Sequence, residues 1–222
     1  MDKRNVLKDS FLDFMHALYD LTILNWLWLL CSLPIVTIGP ATAAVYAVTL
    51  KMAREEESGV VKPFFKAFRE GFPQALILSL LVGVLLVVAV GDAWFAQGQE
   101  GMLHTLYIAL AVVLAVIALT LTVFGFPLQA MYRNSLKKHI GNSFALAFIA
   151  PAKTIVLWVL ILLPVLMAGL LPRVAVAQLG FLYILFGFST PMYLCSRILR
   201  TIFDKAAGTN GSQPPETEEI KQ

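Results

Sequence analysis

Charge is what this sequence has least of. Only 14% of its 222 residues are Asp, Glu, Lys or Arg, whereas 59% are hydrophobic; soluble domains average about 25% charged and about 45–50% apolar. Mean hydropathy is +0.77. Residues 103–130 contain none of the four charged types. That run exceeds the ~20 apolar residues with which a helix crosses ~30 Å of hydrocarbon. An ordinary soluble domain is excluded.

Chemistry-bearing motifs are equally scarce. The two cysteines, Cys31 and Cys195, both sit inside apolar runs, which excludes a disulfide framework and suits small buried hydrophobes. His16, His104 and His139 are scattered near the edges of apolar segments. There is no G-x-x-x-x-G-K-[ST] loop for a nucleotide, no H-E-x-x-H or paired-cysteine spacing for zinc, and no G-x-S-x-G elbow. Intramembrane acids are nearly missing, Asp20 and Asp92 being the two near spans, which argues against a proton-coupled pump. A net charge of +3 is modest for a nucleic-acid binder. The chain reads as a non-enzyme, with no catalytic residue, cofactor or metal site and no nucleic-acid partner.

What is present is hydrocarbon-spanning sequence. Residues 74–95, 103–131, 154–171 and 174–196 are uniformly apolar, and only helices are compatible with such segments in lipid. The first region, 11–53, is interrupted by Pro34-Ile35-Val36-Thr37-Ile38-Gly39-Pro40. Two prolines so close break a helix, since each removes an amide donor and clashes with the preceding turn. Residues 11–33 give ~34 Å of helix and cross alone; 40–54 give only ~22 Å. Pro40 is placed to begin the second helix.

Basic residues favour a hairpin there. With both arms crossing, Arg173 is the single cation of 17 left outside; with one crossing, Lys3, Arg4 and Lys8 join it. The fold class expected is all-α: a polytopic helical membrane protein of about six membrane helices arranged as three hairpins, with five spans as the alternative. Residues 1–203 form the membrane domain and 204–222 a disordered cytoplasmic tail, too poor in apolar residues to fold. Both termini are placed in the cytoplasm. Ala41-Thr42-Ala43 imitates a signal cleavage site, but Asp2, Asp9, Asp13 and Asp20 do not fit a leader, so the first helix is expected to be retained.

A faint repeat supports the hairpins. Gly39, Ala44, Tyr46, Leu50 and Lys51 recur as Gly125, Ala130, Tyr132, Leu136 and Lys137, and Phe124-Gly125-Phe126 recurs as Phe186-Gly187-Phe188. Short amphipathic cytoplasmic helices lie between spans. In 60–72, Phe64, Phe65, Phe68 and Phe72 oppose Lys62, Lys66, Arg69 and Glu70. Phe64, Phe65, Lys66, Phe68 and Arg69 are therefore the candidate docking surface, against their plainer role as an interfacial helix on anionic lipid headgroups. Residues 142–150 repeat the pattern weakly.

The second candidate site is the break. Pro34, Thr37, Gly39, Pro40 and Thr42 would bring free amides and hydroxyls to mid-membrane, as the broken helices of transporters do. The plainer reading is a tight hairpin with Thr37 as a cap. Asn25 and Gln129 read as interhelical hydrogen-bond donors and acceptors, and Ser189, Thr190, Pro191, Tyr193 and Ser196 as a satisfied kink.

Asn25-Trp26-Leu27-Trp28-Leu29-Leu30-Cys31-Ser32-Leu33-Pro34-Ile35-Val36-Thr37-Ile38-Gly39-Pro40-Ala41-Thr42-Ala43-Ala44 resembles the start of the YesL-like bacterial membrane family, a domain of unknown function. Leu50-Lys51, Arg54-Glu55-Glu56 and Phe64-Phe65-Lys66-Ala67-Phe68 continue the likeness. The resemblance implies a bacterial plasma-membrane protein and, through the gene neighbourhoods of that family, an accessory role with subunits of sugar ABC importers. It supplies no catalytic residues. The permeases' E-A-A…G loop is absent, so the chain does not read as a permease subunit. The alternative function is a small solute transporter or channel using the 34–40 break.

Overall fold

The computed structural model describes residues 3–54, 59–132, 134–170, 172 and 187–209. Among them every element is helical. Helix α1 (Lys3–Cys31) leads through a 3-10 turn (Ile35–Thr37) into α2 (Ile38–Met52). Then come α3 (Val61–Ala96) and α4 (Gly101–Thr120), which passes through a π-helical turn (Leu121–Gly125) into α5 (Phe126–Met131). Helices α6 (Leu136–Ile149), α7 (Pro151–Leu170) and α8 (Ser189–Thr209) complete the order.

Three stretches are long and apolar enough to cross a membrane: Ile35–Met52, Val61–Ala96 and Gly101–Met131. The pair α6 and α7, bent by 112°, makes a fourth if counted as one broken span. The described residues thus carry three or four spans of the expected six. Helix α1 contains the anticipated first span but is not among these stretches, and most of the last, 173–186, lies outside the described residues.

Helix α2 is the axis of the packing. Eleven of its fifteen residues are buried, although at ~22 Å it is the shortest of the spanning stretches. Its small residues explain how it fits there. Without hydrocarbon-driven segregation, helices in lipid associate where small side chains let backbones approach. A Cβ on Gly39 would stand 2.3 Å from Ser79 Cβ and 2.7 Å from the Ala75 carbonyl oxygen. Gly125, its counterpart in the repeat, meets the neighbouring turn of the same helix, 3.0 Å from Leu78 Cδ2. The repeat therefore has a packing meaning: two glycines address one level of α3.

Helix boundaries differ from expectation in three places. Helix α2 begins at Ile38, two residues before Pro40, which occupies the first turn where no amide donor is needed. The phenylalanine-rich 60–72 segment is no separate helix: it is the first turns of α3, which runs 36 residues through Pro73. A proline inside a helix withdraws an amide from the ladder; beside this one, Gln129 Nε2 donates to the Gly71 carbonyl at 2.9 Å. Helix α8 continues to Thr209, so 204–209 is helical rather than the start of a disordered tail; 210–222 lies outside the described residues. The weak 142–150 segment is real, as part of α6, whose buried face is His139, Ser143 and Leu146.

Candidate functional site

The turn at 34–40 closes on itself. The Thr37 hydroxyl reaches the Cys31 carbonyl at 2.5 Å and the Pro34 carbonyl at 2.6 Å. It occupies the position before α2 without a side-chain bond to that helix's amides. Pro34, Ile35 and Val36 are exposed, Ile35 by 83%. Thr37 thus ties the hairpin turn, and its one hydroxyl proton is spent on it.

Behind the turn, one polar seam joins three helices. Trp28 Nε1 donates to Thr42 Oγ1 at 3.1 Å, and the Trp28 indole stacks on Phe188 with centroids 3.9 Å apart. Asn25 Oδ1 accepts from the amides of Phe188 and Ser189, at 3.0 and 3.2 Å. Ser189 Oγ donates to the Leu21 carbonyl at 2.7 Å. A side chain of α1 therefore caps the first turn of α8, satisfying amides that lipid leaves without partners. Asn25 and Gln129 do bridge helices, as their isolation in apolar sequence predicts.

Beside the seam lies a chamber of about 830 Å³ bounded by α2, α3, the π-turn with α5, α7 and the start of α8. From α2 it receives Gly39, Thr42 and Tyr46, spaced three and four residues apart on one face. Ser79 and Gly83 of α3, Thr122 of the π-turn and Gly187 before α8 add the other small or polar positions; Val, Leu and Ile supply most of the rest. Ser79 and Thr122 hydroxyls donate to the carbonyls of Leu76 and Ala118 in their own helices. Of the break residues picked from sequence, Gly39 and Thr42 reach this chamber, while Pro34, Thr37 and Pro40 do not line it. Tyr46, Ser79, Gly83 and Thr122 were missed. In lipid, inner and outer faces are both apolar, so no stripe marks a cavity wall.

A second cavity, about 750 Å³, opens at the basic end and is more polar than the chamber: Glu70, Gln74, Gln129, Tyr132, Asn134 and Ser135 line it with Gly71, Ala43 and others. Gln129 Oε1 is buried without a hydrogen-bond partner among the described residues. A thin septum parts the two cavities. On α3, Gln74 lines the cleft and Ser79 the chamber, five residues or about 7.5 Å apart; Ala75 and Leu78 between them are wholly buried.

The phenylalanine cluster is divided by burial. Phe64 has 0% exposure and packs with Leu24, Trp28, Val45 and Val48, so it belongs to the core and leaves the docking surface. Phe68 is half-buried and stacks on Phe64 at 6.1 Å. Phe65, Lys66 and Arg69 remain exposed. The same end is laced by Arg200 on the Ala53 carbonyl at 2.6 Å and Lys153 on Thr201 Oγ1 at 2.6 Å.

The family described as "Protein of unknown function, DUF624" matches residues 21–93, the stretch holding the second half of α1, the turn, α2 and most of α3. "Uncharacterized protein YesL" of Bacillus subtilis (strain 168) is 28% identical over 142 residues. Over these stretches the chain resembles YesL. That alignment covers 62% of this chain and 66% of the relative, just under two thirds of its length. No solved structure matches the chain. The matched segment, 21–93, contains the seam's Asn25, Trp28 and Thr42, the α2 and α3 walls of the chamber, and the first turns of α3 with their phenylalanines and cations.

Proposed function

We propose that this YesL-like chain is a non-enzymatic integral membrane accessory protein of the bacterial plasma membrane, both termini cytoplasmic, that engages subunits of a carbohydrate ABC importer. The observation that carries this reading is the stem of α3. Phe64 anchors it in the core, and the continuous helix holds Phe65, Lys66 and Arg69 outward at the basic end. An exposed aromatic flanked by cations on a rigid support is what a docking anchor requires. The sugar-import partner rests on the family resemblance. Affinity purification in mild detergent with mass spectrometry tests it. Stoichiometric importer subunits, lost on Phe65→Glu with Arg69→Glu in a still-folded protein, support the reading. Recovery of the chain alone sinks it.

A second reading, small-solute transport, is favoured by the two cavities meeting at a septum one helical turn thick. Flux into proteoliposomes that rises on Leu78→Ala supports it; impermeability of both proteins to every solute offered counts against it.

A further inference from the structure

The 830 Å³ chamber is of the size that holds drug-sized ligands, ~300–1,000 Å³. Its opening decides what kind of ligand. Rim residues Ile35, Val84 and Val87 are 83%, 61% and 73% exposed. They belong to stretches long and apolar enough to cross a membrane. Among the described residues, the chamber wall is therefore continuous with an outward apolar surface suited to hydrocarbon, and its mouth opens on that side. At its floor Ala75 and Leu78 are wholly buried and separate it from the polar cleft. An apolar recess with a lipid-side mouth and a closed floor is a pocket for a chain, entered from the membrane.

Gly83 makes the pocket testable. It lines the chamber, and a Cβ placed on it meets nothing within 4 Å. It is thus a wall position where the space beside the helix is empty, unlike Gly39, where the backbone contact itself demands glycine.

We propose that the chamber between α2, α3, α7 and the start of α8 binds one hydrocarbon chain of a bilayer lipid, drawn in laterally past Ile35, Val84 and Val87, with Gly83 left bare to admit it. The proposal goes beyond both functional readings and depends on neither.

Native mass spectrometry of protein released from phosphatidylglycerol-containing membranes in mild detergent is the test. Wild type is expected to keep one lipid per chain through delipidation. Gly83→Phe, which fills the pocket, lowers that occupancy at least about tenfold, and Val112→Phe on the exposed face of α4 leaves it unchanged. A wild type with no retained lipid, or a Gly83→Phe protein that holds as much, overturns the assignment. Should Gly83→Phe not fold, wild type in phosphatidylglycerol vesicles doped with a diazirine-acyl analogue gives the answer. Adducts on the chamber residues around Gly83 and Phe188 support it; adducts confined to outward residues such as Val112 overturn it, and mean that the space is filled by the chain itself.

Discussion

The hydroxyls of Thr49 and Ser196 meet at 2.8 Å between α2 and α8, and Arg200 on the Ala53 carbonyl repeats the same separation of 147 positions one turn further along. The two helices therefore run parallel and in register. Thr42 and Ser189 keep that spacing a further two turns back, where both belong to the seam around Asn25 and Trp28. Parallel neighbours need a long connection, and here α3 to α7 supply it.

Each hydroxyl of the pair also has a carbonyl in its own helix, Val45 for Thr49 at 3.0 Å and Met192 for Ser196 at 2.9 Å. One proton bridges the helices while the other is turned back, so the bond is a modest one. A double-mutant cycle of Thr49→Val and Ser196→Ala should give a coupling of about 0.6 kcal/mol by steric-trap unfolding in bicelles, the average for such bonds in membrane proteins. Strict additivity of the two substitutions refutes the bridge.

Asn25 carries more. Its Oδ1 is shared by two amides at the start of α8, and an alanine there strands both in an apolar setting. Loss of a cap costs about 0.5–2 kcal/mol, and abandoned buried donors push toward the upper end. Asn25→Ala should destabilise by about 2 kcal/mol and quicken hydrogen exchange selectively at the start of α8. Unchanged exchange there means the cap is not holding that turn.

Gly39→Ala should be among the most damaging small substitutions. Its new methyl lands at 2.3 Å from Ser79 Cβ, and the Ala75 carbonyl allows no retreat. Forced overpacking costs about 1–3 kcal/mol and at times more. Ser79→Gly in the same chain should recover part of the lost melting temperature but not all, since the carbonyl clash at 2.7 Å stays. Full rescue, or no loss to begin with, means that the α2–α3 crossing is looser than drawn.

These residues show what the sequence discloses and what it hides. Hydrocarbon thickness makes long apolar runs legible as helices, and proline pairs make the turn at 34–40 legible as a break. Lone amides such as Asn25 and Gln129 stand out because an apolar helix gives them no local use. What stays hidden is facing. Phe64 and Phe65 look alike in sequence, yet one is core and the other surface. Gly39 and Gly83 look alike too, but one is a contact and the other a gap. The continuity of α3 through Pro73 is hidden as well, because a proline at the edge of an apolar run reads as a helix boundary.

The facing of Phe64 and Phe65 gives the sharpest check on the stem. Phe64→Ala removes a ring with 0% exposure from a packed cluster, and Phe→Ala in such places costs about 3–5 kcal/mol. Phe65, 43% exposed, loses little packing on truncation, and Phe65→Ala should stay within about 0.5 kcal/mol of wild type. Melting curves of the two purified variants should therefore separate clearly. Partner recovery reads the other way: Phe65→Ala should weaken it with the fold intact, while any loss seen with Phe64→Ala should track loss of folded protein. If the two variants melt together, the division of the cluster into core and docking face is wrong, and the accessory reading loses the observation it stands on.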